Sequence, residues 1–96
     1  MKKVLAIFKF IEYCIGMDKK TTAKHIKALK KLFPNSFIKT TEEWNGRAGG
    51  LWTGFGEDGT CDYWHGYVDS KLQDYLDKNN LFLEPNDPGT YMIWEG

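Results

Sequence analysis

No run of apolar residues in this sequence approaches the roughly 18 that a membrane-spanning helix needs, and only two cysteines occur, Cys14 and Cys61. The first shortage argues against a helical membrane anchor. The second argues against a disulfide scaffold, since small secreted domains held by disulfides carry four or more cysteines. A reducing, cytoplasmic setting is the expectation. The chain has no Asn-x-Ser/Thr sequon, no internal repeat, no low-complexity tract and no linker rich in proline or serine. Residues 1–96 should therefore fold together as a single domain, which is the size one hydrophobic core supports. The opening Met1-Lys2-Lys3 and Val4-Leu5-Ala6-Ile7-Phe8 imitate a signal peptide, but Lys9 and Glu12 interrupt the apolar stretch. Tyr13 is too large for the position before a lipid-modified cysteine.

Net charge is also lacking, with 13 cations against 13 carboxylates, and this weighs against nonspecific nucleic-acid binding by the whole chain. The balance conceals a strong asymmetry. Residues 1–40 hold ten lysines against Glu12 and Asp18, a net +8, while residues 41–96 hold Arg47, Lys71 and Lys78 against eleven carboxylates, a net −8. Aromatic residues make up 16% of the chain, enough to build a core without cross-links, because each buried ring removes roughly 150–250 Å² from water.

The segment 4–15 reads two ways. At helical period Val4, Ile7, Phe8, Ile11, Cys14 and Ile15 share a face; at period two Val4, Ala6, Phe8 and Phe10 alternate with the rest. The helical reading has the slight advantage. Next, Thr21 or Thr22 can cap a helix running to Phe33, where Pro34 stops it. Ser36 to Thr41 and Leu51 to Phe55 read as strands of a hairpin joined by the glycine-rich stretch Asn45 to Gly50. A helix from Asp69 or Ser70 to Lys78 follows, closed by Asn79-Asn80. Leu81 to Glu84 and Thr90 to Trp94 form a last hairpin, whose Pro88-Gly89 suits a type II turn. The expected fold class is α+β, two layers, with an antiparallel sheet of about four strands and helices on one face. If residues 4–13 are a strand, the order becomes the ferredoxin-like βαββαβ with an added C-terminal strand.

The chemistry-bearing residues are sparse. Cys61 and His65 have a spacing that can place two metal ligands together, but Cys14 and His25 do not complete a recognised zinc pattern. No metal and no cofactor is expected. The same pair, with Asp62 or Asp58 orienting the histidine, is the one arrangement that could serve a small Cys/His enzyme. Working nucleophile and base pairs are nevertheless assembled by the fold and not by sequence proximity. Glu42-Glu43 and Glu57-Asp58 are adjacent carboxylates of the kind that polar loops solvate. Gly49-Gly50 and Gly54-Phe55-Gly56 match no phosphate-binding loop. No catalytic residue is assigned.

Two surfaces remain as candidates. Lys20, Lys24, Lys27 and Lys31 line one face of the helix before Pro34, where they could track phosphates of a nucleic acid or simply be solvated opposite a buried face. Tyr63, Trp64, His65 and Tyr67, flanked by Glu57, Asp58 and Asp62, form an aromatic and acidic cluster. Tryptophan and tyrosine dominate the energetic centres of protein interfaces. The alternative for these rings, and for Trp44 and Trp52, is to complete a small core. The carboxylates of the acidic half could also imitate nucleic-acid phosphate before a basic groove on another protein.

Glu42-Glu43-Trp44, the stretch Gly50-Leu51-Trp52-Thr53-Gly54-Phe55-Gly56-Glu57-Asp58, and Asp87-Pro88-Gly89-Thr90 before an aromatic strand resemble small uncharacterised proteins of bacteriophages and mobile elements, over about residues 30–96. The resemblance implies a setting and no catalytic residues: such proteins often bind and block a host or defence protein in the host cytoplasm, as anti-CRISPR proteins do. The expected function is thus a non-enzymatic, protein-binding inhibitor, with nucleic-acid binding through the lysine helix as the alternative and a Cys/His enzyme as the second.

Overall fold

The computed structural model describes residues 17–96; segment 4–15, with its helix-or-strand ambiguity, the ferredoxin-like alternative that depends on it, and Cys14 lie outside the described residues. The first helix, α1, spans Lys19–Leu32. Its cap is Asp18 and not a threonine, with Oδ1 accepting from the Thr21 N–H at 2.7 Å. A carboxylate there both satisfies an orphan donor and faces the positive end of the helix dipole. The helix buries Thr22, His25 and Leu29, spaced three and four residues apart as one helical face demands.

Strand β1, Ile38–Thr40, is shorter than the sequence predicts because Thr40 ends it. Its hydroxyl accepts from the Glu43 N–H while the Glu43 carboxylate accepts from the Thr40 N–H, a capping box that starts the short helix α2, Thr41–Asn45. Gly46, at φ 82°, closes that helix. Strand β2, Leu51–Thr53, then returns antiparallel to β1. The expected hairpin thus exists, with a helical turn inside its connection. The thiol-bearing strand β3, Cys61–Asp62, pairs with β4, Tyr67–Val68. Helix α3, Ser70–Lys78, has the expected bounds, is capped by Asp69 and buries Leu72 and Leu76. Asn80, at φ 54°, makes the left-handed exit.

Strands β5, Leu81–Asp87, and β6, Thr90–Glu95, form the closing hairpin. Its turn departs from type II: Gly89 does not have the positive φ that this turn requires. Asp87 organises the turn instead, Oδ1 accepting from the Gly89 N–H at 3.0 Å, the Thr90 N–H at 2.9 Å and the Thr90 hydroxyl at 2.8 Å.

The four long-range strands form one antiparallel sheet in the order β1-β2-β6-β5, and β3-β4 makes a separate two-stranded ribbon. The architecture is α+β. Alternation along the strands separates two faces. Ile38, Leu51, Tyr91, Ile93 and Leu81 belong to the buried face, where Leu29 of α1, Leu72 and Leu76 of α3, Phe55 and Cys61 join them in one cluster. Thr53 fits this apolar layer because its hydroxyl donates to the Tyr91 carbonyl at 3.0 Å. The other face carries Trp52, Met92 and Trp94, all half-buried. Trp44 of α2 stacks on Trp52 with ring centres 5.0 Å apart, and Phe37 meets the same indole edge-on.

Candidate functional site

The β3–β4 hairpin carries the exposed aromatic residues. Asp62 shapes its loop: Oδ1 accepts from the Trp64 N–H at 3.0 Å, and Oδ2 lies 2.7 Å from Nδ1 of His65. The hydrogen bond from His65, first among several, holds the Asp62 carboxyl below its usual range. Gly66, at φ 69°, completes the reversal. The loop is anchored at its base by the Cys61 N–H donating to the Phe55 carbonyl and by the Asp69 N–H donating to the Thr60 carbonyl, each at 2.9 Å.

From this anchored base the aromatic side chains project outward. Trp64 is 76% exposed, Tyr67 52% and Tyr63 43%. The Tyr63 and Trp64 rings meet edge to face, 5.1 Å between centres, so each restricts the other. Among the described residues the only other large apolar side chains so exposed are Leu32 and Phe82. Phe82 is close by: it borders a cleft of about 510 Å³ that runs beneath the hairpin, walled by Tyr63 and Tyr67, by Leu76 and Asp77 of α3, and by Leu81 and Leu83 of β5.

The aromatic group named from sequence therefore divides. Tyr63, Trp64 and Tyr67 face solvent, whereas Trp44 and Trp52 stack against the sheet. Of the flanking carboxylates, Asp62 belongs to the hairpin, but Asp58 is engaged within the fold, accepting from Thr60 and from the Ser36 hydroxyl. Glu57 lies beside the β5–β6 turn, its N–H donating to the Gly89 carbonyl at 2.9 Å. Phe82, Leu83 and Asp77 were not anticipated as site residues. Their alternation and spacing read as ordinary strand and helix, and only the fold shows that they border the hairpin.

Cys61 and His65 diverge. The thiol is buried in the core, and burial, followed by the charges of Asp58 and Asp69, pushes it up to about 12. A nucleophilic cysteine needs the reverse shift, toward thiolate. The His65 side chain is 80% exposed and occupied by Asp62. His25 is buried between α1 and α3. Among the described residues no three His, Cys, Asp or Glu side chains converge to hold a metal ion. Lys20, Lys24, Lys27 and Lys31 are all exposed along α1. Among the described residues no helix is long and apolar enough to cross a membrane. No family model, no curated protein and no solved structure matches the chain.

Proposed function

We propose that this chain is a non-enzymatic protein-binding domain that seats a partner on the β3–β4 hairpin. The observation that carries the reading is the projection of Tyr63, Trp64 and Tyr67 from a loop held by Asp62. Aromatic rings presented on a fixed backbone lose little conformational freedom on binding and bury large areas, the property of interface anchors. The resemblance to phage and mobile-element proteins directs the choice of partner to a host or defence-system protein, which the contact would block in an anti-CRISPR-like manner.

The test is affinity capture from a bacterial host extract with the tagged chain and with Trp64→Ala/Tyr67→Ala, alongside thermal melts of both. The expected result is loss of the captured partner with an unchanged melt. Undiminished capture by the double variant overturns the assignment.

One observation favours a second reading, nucleic-acid binding: the four lysines of α1 are exposed on one helix. Phosphate contacts of this kind give strongly salt-dependent affinity. A mobility-shift titration that shows no binding at low ionic strength removes this reading.

A further inference from the structure

The hydrogen-bond phase of the sheet fixes which main-chain groups of β5 turn away from β6. The Gly96 N–H donates to the Asn80 carbonyl at 2.9 Å, and Leu81 lies opposite Glu95, so Asn80 and Gly96 form a hydrogen-bonded pair. Antiparallel strands alternate such pairs with non-bonded ones. Phe82 and Glu84 consequently direct their N–H and C=O groups toward β6, while Leu81 and Leu83 direct theirs away, as Pro85, which has no N–H, does its carbonyl. The far side of the sheet agrees. Bonds from Gly54 N–H to Phe37 O, 3.1 Å, and from Thr41 N–H to Gly50 O, 2.9 Å, turn Trp52 toward β1. They leave Leu51 and Thr53 for Ile93 and Tyr91, and Met92 and Trp94 for β5.

Strand β5 is the last in the order β1-β2-β6-β5, and among the described residues no strand pairs with its outer edge. Open edges are templates for another strand unless they are short, bulged, charged or interrupted by proline. Here Pro85 and the irregularity between Pro85 and Asp87 protect the far end. Among the described residues nothing of that kind protects Leu81-Phe82-Leu83. That stretch is also where the cleft opens, with the aromatic hairpin as its opposite wall.

We infer that the cleft between the β3–β4 hairpin and β5 receives an extended, cationic segment of a partner protein, which adds as a strand to the Leu81–Leu83 edge. This deepens the protein-binding reading and rests on it. Strand addition takes affinity from main-chain bonds and selectivity from alternate side chains. The side chains directed inward would meet Tyr63, Tyr67 and Leu83, an apolar and aromatic wall. The one carboxyl side chain in the lining is Asp77, and no lysine or arginine lines the cleft. Every lining residue belongs to the half of the chain that holds eleven carboxylates against three cations. A segment in which lysine or arginine alternates with apolar residues matches both the wall and the field.

The experiment uses the isotope-labelled full chain and a pool of seven-residue synthetic peptides, the length of β5, in which valine, phenylalanine or tyrosine alternates with lysine or arginine. A matching pool replaces the cations by glutamate. Members of the cationic pool should shift the amide resonances of Leu81 and Leu83 and slow their hydrogen exchange, and the acidic pool should not. Methylating the peptide amides that face β5 should weaken binding by about tenfold for each bond lost, whereas methylating the others should not. Leu83→Pro should do the same, because the lost N–H takes no part in the ladder with β6. The methylated peptides give the answer even if that variant unfolds. Failure of every cationic peptide to move the Leu81 and Leu83 amides overturns the inference. So does protection of those amides in the isolated chain, which would mean that its own residues or a second copy fill the edge. If Trp64→Ala/Tyr67→Ala abolishes partner capture and Leu83→Pro does not, protein binding stands and strand addition falls; capture that survives both variants removes both.

Discussion

The hydroxyl of Tyr75 lies 2.5 Å from Nδ1 of His25, joining α3 to α1 across 50 positions of sequence. The rings also meet edge to face, 5.6 Å between centres. Burial, and then the charge of Lys24, hold His25 below its ordinary value of 6.5, with Glu95 acting in the opposite direction; burial alone raises Tyr75. The neutral imidazole is thus the folded form. Because the folded value is the lower one, the unfolded chain takes up more protons as pH falls. The stabilisation is complete above the ordinary histidine range and is lost as pH drops through it. Urea midpoints measured at about pH 7.5 and about pH 5.5 should fall toward acid, and His25→Gln should flatten the dependence. Tyr75→Phe should cost about 1 kcal/mol at neutral pH by leaving the imidazole without its partner.

Two glycines should respond to alanine for different reasons. A Cβ on Gly56 would lie 2.1 Å from the Pro88 carbonyl oxygen, a main-chain atom that cannot turn aside. Gly56→Ala must therefore push the β5–β6 turn away, at about 2–3 kcal/mol. A Cβ on Gly46 meets nothing, but the backbone there is left-handed at φ 82°, so Gly46→Ala should cost only about 1 kcal/mol. Denaturant unfolding of the two variants decides whether the ordering holds.

Cys61 should be inert in the native state. In a Cys14→Ser background, iodoacetamide at mildly alkaline pH should leave the folded chain unlabelled and modify it fully once denaturant is added. Rapid native labelling would contradict both the burial of the thiol and its displacement to about 12.

Replacing Lys20, Lys24, Lys27 and Lys31 by glutamine should leave partner capture unchanged, because these side chains are on α1 and the hairpin is not. Surface substitutions of this kind stay within about 0.5 kcal/mol each, so a melt of the fourfold variant serves as the control. Loss of capture with an intact fold would move the interface to α1.

Much of the fold was legible because its signals are local. The apolar faces of α1 and α3, the stop at Pro34 and the strand pairs on either side of Pro88-Gly89 depend on neighbours within a few residues. Other features were legible and missed. Asp18 outcompetes Thr21 as a cap, and Thr40 with Glu43 spells a capping box inside what read as a strand. The division of the aromatic residues was not legible. Trp52 falls in a segment that reads as a strand and Trp64 does not, but only the packing shows that Trp44 and Phe37 cover the first indole while the second stays in solvent. The cleft was equally hidden, since Tyr67, Asp77 and Leu83 are brought together by three separate elements.

The stacked pair on the outer face has an optical consequence. Trp44 and Trp52 lie 5.0 Å apart and within 14° of parallel, close enough for their electronic transitions to couple. The native chain should show an exciton couplet in circular dichroism that no isolated indole gives and that disappears in Trp44→Phe. Folding of this chain then carries a reporter of its own, independent of any label.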